Sequence, residues 1–87
     1  MDGTAKPRLA KGVRLRTEGD AMLLIPEGVL MLNGSAAATL ELVDGTRSVD
    51  QIADALVRRF DVENGEARAG VLELLERLHE RRLVDIA

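Results

Sequence analysis

Few side chains in this 87-residue chain are placed to do covalent chemistry. Nucleophilic catalysis requires a Ser, Cys or Thr beside a base, but the chain has no Cys, and Ser35 and Ser48 each stand where a helical pattern begins. The single His, His79, lies among charged residues in a helical pattern, so we interpret it as a solvated helix residue. We therefore expect no catalytic residue, no disulfide and no Cys- or His-based metal site.

The acidic residues near the C-terminus have the spacing of surface ion pairs. Glu73, Glu76 and Glu80 alternate with Arg77 and Arg81 at intervals of three to four residues, which brings opposite charges together on a helix surface. The glycines form neither a G-x-G-x-x-G pattern nor a Walker loop. The sequence therefore predicts a chain that is not an enzyme by itself and that has no cofactor.

The composition is that of one small globular domain, and the absence of Cys fits a reducing compartment. Apolar residues make up 46% and charged residues 31%, and Phe60 is the only aromatic residue. The net charge of −3 argues against strong sequence-independent binding of nucleic acid, because such binding needs a basic surface. There is no membrane-length apolar run and no signal-peptide core. We expect a soluble, cytoplasmic protein that binds neither nucleic acid nor membrane.

The first part of the chain predicts three strands after a tail. Residues 1–11 lack periodicity and are predicted to be a mobile N-terminal tail or linker, with the domain spanning residues 12–87. Strands are predicted at residues 13–17, 21–25 and 28–32, and Pro26-Glu27-Gly28 is predicted as a three-residue hairpin loop between the last two. This gives an antiparallel meander whose third strand is an edge.

The remainder has helical periodicity. One helix is predicted from a cap at Asn33 or Ser35 to Gly45, a second from a capping box at Ser48 and Gln51 to Phe60, and a third over about residues 66–82. Phe60 is predicted to lie in the core. The expected fold is α+β, a winged helix-turn-helix-like arrangement in which a three-stranded antiparallel sheet is followed by three helices (β-β-β-α-α-α).

The third predicted strand raises the question of what covers it. Val29, Leu30, Met31 and Leu32 follow one another without a charge, and an unguarded strand edge tends to pair with another chain. On the last predicted helix, Leu72 falls outside the core stripe. Its column also contains Arg68, Glu76 and His79, with Leu75 at the border. This column either borders the core or forms one wall of a groove beside the third strand, where an extended peptide adds as a fourth strand.

Two other functions are compatible with the pattern. A winged helix can bind DNA through its last helix, although that helix has balanced charge here. The third strand can instead pair with the same strand of a second copy, which makes the chain a self-associating structural module.

Four segments in this order resemble the PqqD family, the small peptide chaperones of pyrroloquinoline quinone (PQQ) biosynthesis. The segments are PRLAKGVRLR (7–16), LLIPEGVLMLN (23–33), SAAATLELVDGTRSVDQI (35–52) and LLERLHERRLV (74–84). The chain differs from many members at Ile25, where they have Tyr, at Val43, where they have Cys, and at Arg82-Leu83, where they have Gly-Trp.

The resemblance implies a peptide-binding domain of the type that recognises ribosomally made, modified peptides. Its expected partners are the precursor peptide PqqA and the radical S-adenosylmethionine (SAM) enzyme PqqE, and members also occur fused to PqqC. In such domains the peptide lies as an added strand beside the third strand and against the last helix. The residues expected to contact it here are Val29, Leu30, Met31, Leu32, Asn33, Arg68, Leu72, Leu75, Glu76 and His79.

Overall fold

The computed structural model describes residues 1–86, so Ala87, the last residue of the predicted domain, lies outside it. The elements along the chain are β1 (Pro7–Leu9), β2 (Arg14–Arg16), β3 (Met22–Ile25), β4 (Gly28–Met31), α1 (Gly34–Glu41), α2 (Val49–Phe60), α3 (Asn64–Glu80) and β5 (Val84–Ile86). The predicted α+β class, with a three-stranded antiparallel sheet followed by three helices, is confirmed. The strands β1 and β5 are additions to the predicted order.

The three-stranded sheet has the order β2-β3-β4, so β4 is an edge strand as predicted. β3 and β4 pair antiparallel from Met22 opposite Met31 to Ile25 opposite Gly28. The connecting loop therefore contains two residues, Pro26 and Glu27, and the predicted three-residue loop is wrong. Gly28 has a φ of 144°, a conformation that residues with a Cβ rarely adopt.

The N-terminal segment is paired with the C-terminus, which differs from the predicted mobile tail or linker over residues 1–11. β1 pairs antiparallel with β5, and Leu9 lies opposite Val84. The Gly45 N–H also donates to the carbonyl oxygen of Pro7 (2.9 Å), and the Pro7 side chain is fully buried. A domain boundary at residue 12 would therefore cut through paired structure.

Local capping explains where the first two helices begin. The Asn33 side chain accepts from the Ala36 N–H (2.8 Å), which makes Asn33 the cap of α1. α1 ends at Glu41, before the predicted stop at Gly45, and a turn follows it. In that turn the Thr46 N–H and hydroxyl donate to Asp44 and lower the pKa of its carboxyl to about 2. The predicted capping box of Ser48 and Gln51 is present at the start of α2.

One core joins the sheet and the helices. Its fully buried members include Leu23 of β3, Leu40 of α1, Ile52 of α2 and Leu75 of α3. Phe60 was predicted to belong to this core, but its side chain is 44% exposed at the end of α2. None of the helices within residues 1–86 is both long and apolar enough to cross a membrane.

The C-terminal end of α3 contains a strained residue. Arg82 has a φ of 60°, and the Leu83 N–H donates to the Leu78 carbonyl oxygen (2.9 Å), the pattern of a Schellman motif that usually has Gly in the left-handed position. A left-handed residue with a Cβ costs about 1–2 kcal/mol, and the greater unfolded-state freedom of Gly offsets part of that cost.

We therefore expect Arg82→Gly to raise the free energy of unfolding by about 0.5–1 kcal/mol in urea denaturation. The matched control is Arg81→Gly. Arg81 has a φ of −89°, so the same change there relieves no strain and lowers stability. Equal effects of the two substitutions would contradict this account of the helix end.

Candidate functional site

The outer edge of β4 offers unpaired backbone groups at two residues. Among residues 1–86 no strand pairs with this edge. The Leu32 N–H donates to the Ala21 carbonyl oxygen (3.0 Å), and hydrogen-bonding direction alternates along an antiparallel strand. Leu30 and Leu32 therefore direct their backbone groups toward β3, whereas Val29 and Met31 direct theirs toward the free edge.

The side chains of β4 alternate in the same way. Leu30 and Leu32 are half-buried and pack against the core. Val29 and Met31 point away from it, and these residues are 54% and 61% exposed. The uninterrupted apolar run of β4 thus has one face in the core and the other in solvent.

A cleft of about 390 Å³ lies beside the end of this strand, between α1 and α3. We call it the α1–α3 cleft. One wall is formed by Asn33 and by the first turns of α1, and the other by one flank of α3 that includes Gly70, Leu74 and Arg77. Apolar side chains from the end of α2 and the loop after it complete the lining: Leu56, Phe60 and Val62.

The α1–α3 cleft combines apolar walls with a charged rim. Arg77 and Glu73 form an exposed ion pair (2.8 Å) across one turn of α3, and such a pair contributes at most about 0.5 kcal/mol. Gly70 leaves an opening in the wall, because an added Cβ there would meet no atom within 4 Å. The cleft therefore has the chemistry to hold an apolar side chain. Within residues 1–86 no group of His, Asp and Glu side chains is arranged to hold a metal ion.

The predicted helix contacts Arg68, Leu72 and His79 lie on the opposite flank of α3 from the cleft. The Arg68 side chain forms an ion pair with Asp50 in the first turn of α2 (3.2 Å). This part of α2 contacts the N-terminal segment, since the Asp50 N–H donates to the Gly3 carbonyl oxygen (3.0 Å). At 100° per residue, Leu72 and His79 fall within about 40° of Arg68. The structure therefore does not bring these three residues together with β4.

The two remaining predicted helix residues occupy other places. The Leu75 side chain is fully buried, so its predicted role as a direct contact conflicts with its position in the core. Glu76 is exposed on the side of α3 that faces away from the core. On the strand side, Val29, Leu30, Met31 and Leu32 adjoin the free edge, and Asn33 reaches the cleft.

Sequence reasoning missed the cleft residues on α3 and at the end of α2. Gly70 has no side chain and so gives no positive signal, and the helical spacing of Leu74 is that of a core residue, although its side chain is half-buried. Phe60 did carry a signal, since it is the only aromatic residue of the chain. It lines the cleft, with the guanidinium of Arg59 5.4 Å from its ring centroid.

The chain is similar to proteins of one biosynthetic family. The family profile described as coenzyme PQQ synthesis protein D (PqqD) matches residues 20–84. The PqqA binding protein of Xanthomonas axonopodis pv. citri is 40% identical over 83 residues, which cover 92% of this chain and 90% of that protein. The bifunctional coenzyme PQQ synthesis protein C/D of Methylorubrum extorquens is 37% identical over 98% of this chain, which spans 24% of that longer protein.

Solved structures share the fold. The PqqD truncation of Methylobacterium extorquens PqqCD, a stand-alone recognition element for ribosomally synthesised and modified peptides, superposes with a TM-score of 0.79. It is 38% identical, and the match covers 91% of this chain and 87% of that one. Lasso peptide synthetase B1, solved with its leader peptide, has a TM-score of 0.78 at 23% identity, with 92% and 98% covered. The second likeness concerns the fold alone.

Proposed function

Since the chain belongs to the PqqD family, we propose that it binds a PqqA precursor peptide as a fourth strand on the free edge of β4 and has no catalytic activity of its own. The observation that carries this proposal is the outward direction of the backbone groups of Val29 and Met31. An added strand supplies the missing hydrogen bonds, each with a net contribution of about 0.5–1.5 kcal/mol.

The α1–α3 cleft supplies the side-chain part of this binding site. Asn33 lies two residues beyond Met31, or about 7 Å along an extended strand, so a peptide paired with β4 passes the mouth of the cleft. A side chain that points inward from this peptide enters the space beside Gly70. Burial of its apolar surface contributes about 25 cal/mol per Å², and ordering of the peptide offsets about 2–5 kcal/mol.

Calorimetric titration with synthetic PqqA of Xanthomonas axonopodis pv. citri tests the proposal. We expect one peptide per chain and a dissociation constant on the order of micromolar. Because the contacts are mainly backbone and apolar, the affinity should change less than about threefold between 50 and 200 mM salt, whereas a DNA-binding protein loses about 10³–10⁵-fold. Binding of a random-sequence duplex together with no binding of PqqA would favour the DNA-binding alternative.

The packing of α3 places two half-buried leucines on opposite flanks of the helix, and we expect substitutions of the two to affect peptide binding differently. Leu72→Asp introduces a charge away from the cleft, so we expect a loss of about 1–3 kcal/mol of stability and less than a twofold change in the peptide affinity of the folded protein. Leu74→Asp, the matched variant, should lose both stability and affinity because Leu74 lines the cleft. Urea denaturation and calorimetry measure the two quantities, and the reverse pattern of affinity would place the peptide on the Arg68 flank.

We also propose that the bound peptide is presented to the radical SAM enzyme PqqE. Strand addition holds only a short stretch of peptide, which leaves the remainder free to enter a second protein. In a reaction of PqqE with PqqA, addition of this chain should increase modification of the peptide, and a variant that does not bind the peptide should have no effect. An equal increase from wild type and variant would contradict this step.

A further inference from the structure

The outward face of the three-stranded sheet is apolar at its free edge and basic at its far edge. Two rows of side chains cross it: Arg14, Leu24 and Val29 in one, and Arg16, Met22 and Met31 in the other. Val29 and Met31 are the most exposed of its apolar side chains. These two residues also present the unpaired backbone groups of β4. Their backbone therefore lies at the free edge of the sheet, and their side chains lie on its outward face.

The geometry of strand pairing connects these two properties. In an antiparallel pair, residues that exchange both hydrogen bonds lie directly opposite each other, and their side chains point to the same face. A peptide residue that bonds to Val29 must therefore place its own side chain on the outward face beside Val29. The same holds for the peptide residue opposite Met31. The peptide residue between these two directs its side chain to the other face, toward the α1–α3 cleft.

We infer that Val29 and Met31 determine peptide specificity by packing against two apolar side chains of the bound peptide, spaced two residues apart. This inference rests on the proposed function and extends it by naming a required feature of the peptide. The occupant is the peptide itself, because the exposed side chains belong to the residues that present the free backbone groups. Arg14 and Arg16 lie two strands from β4, about 10 Å away, and so do not reach the peptide.

The test uses two isosteric polar substitutions that leave the backbone unchanged. Val29→Thr combined with Met31→Gln should weaken binding of synthetic Xanthomonas axonopodis PqqA by about three- to tenfold, since each cross-strand pair contributes modestly. The matched control, Arg14→Gln with Arg16→Gln, alters the same face beyond the reach of the peptide and should change the affinity less than twofold. Thermal unfolding shows whether each variant is folded, and Val29→Thr alone provides a milder second variant.

Each outcome separates this inference from the proposed function. Unchanged affinity of the Val29/Met31 variant, with normal binding by wild type, overturns the inference and leaves strand addition intact. Failure of wild type to bind PqqA overturns both. A wild-type dimer in sedimentation that becomes a monomer in the variant overturns the inference in favour of a second copy as the occupant. A PqqA peptide in which two apolar residues spaced by two positions are replaced by Ala should bind wild type more weakly than the unchanged peptide does. The same replacement should have little effect on binding to the Val29/Met31 variant, and this result would support the inference.

Discussion

Met31→Pro is expected to remove most peptide binding while leaving the fold intact. The Met31 N–H faces the free edge of β4, so proline removes a donor that no other part of the described chain uses. Proline is tolerated on edge strands when its missing N–H would face solvent. The peptide loses the hydrogen bond from the Met31 N–H, and the peptide carbonyl oxygen that accepted it is left buried without a donor. Together these two effects correspond to a loss of about 10- to 100-fold in affinity.

The matched control is Leu32→Pro, one residue further along. The Leu32 N–H donates to the Ala21 carbonyl oxygen (3.0 Å), so its removal breaks a bond inside the sheet and should cost at least about 2 kcal/mol of stability. Urea denaturation should therefore separate the two proline variants, and calorimetry with PqqA should show the binding defect of Met31→Pro. Binding of Met31→Pro at wild-type affinity would mean that the peptide does not pair with β4.

Gly70→Leu is expected to change stability and binding in opposite directions. Gly70 lies within α3, where glycine is about 1 kcal/mol less favourable than alanine or leucine, and an added Cβ there meets no atom within 4 Å. The substitution should therefore raise the free energy of unfolding by about 0.5–1 kcal/mol. The same side chain fills the α1–α3 cleft, so the affinity for PqqA should fall by at least about tenfold.

Ala69→Leu provides the control for Gly70→Leu. It adds the same side chain at the neighbouring position, which is exposed on the side of α3 away from the core, and should leave the affinity unchanged. Gly70→Ala should retain most of the gain in stability with a smaller loss of affinity, because it fills less of the cleft. If Gly70→Leu binds PqqA as wild type does, the α1–α3 cleft takes no part in recognition.

The strands and helices that position the site could be predicted because local signals determine them. Alternation of apolar residues marks β2, the capping box of Ser48 and Gln51 marks the start of α2, and the absence of charge between Gly28 and Leu32 marks the open edge. Strands β1 and β5 could not be predicted in the same way. Each has only three residues, which is too short for a clear alternation of apolar and polar residues. Their pairing joins the two ends of the chain, so it cannot be predicted from the sequence of either segment alone.

Which flank of α3 borders the α1–α3 cleft was not predictable from periodicity. The core stripe through Val71 and Leu78 has a flank on each side, and the sequence gives the angle of each residue around the helix. Which flank faces β4 depends on how the helix packs on the sheet, a tertiary property. The half-buried Leu72 lies on the flank away from the α1–α3 cleft, and the space on the other flank lies beside Gly70, which has no side chain to give a periodic signal.

The measurement that tests the central claim most directly is backbone amide hydrogen exchange of β4 with and without PqqA. In the free protein the Leu30 and Leu32 amides should be protected, because they bond to β3, and the Val29 and Met31 amides should exchange rapidly. Saturation with peptide should slow exchange at the Met31 and Val29 amides by at least about tenfold, with little change at Leu30. Tight binding of the peptide with no added protection at Val29 or Met31 would contradict strand addition on β4.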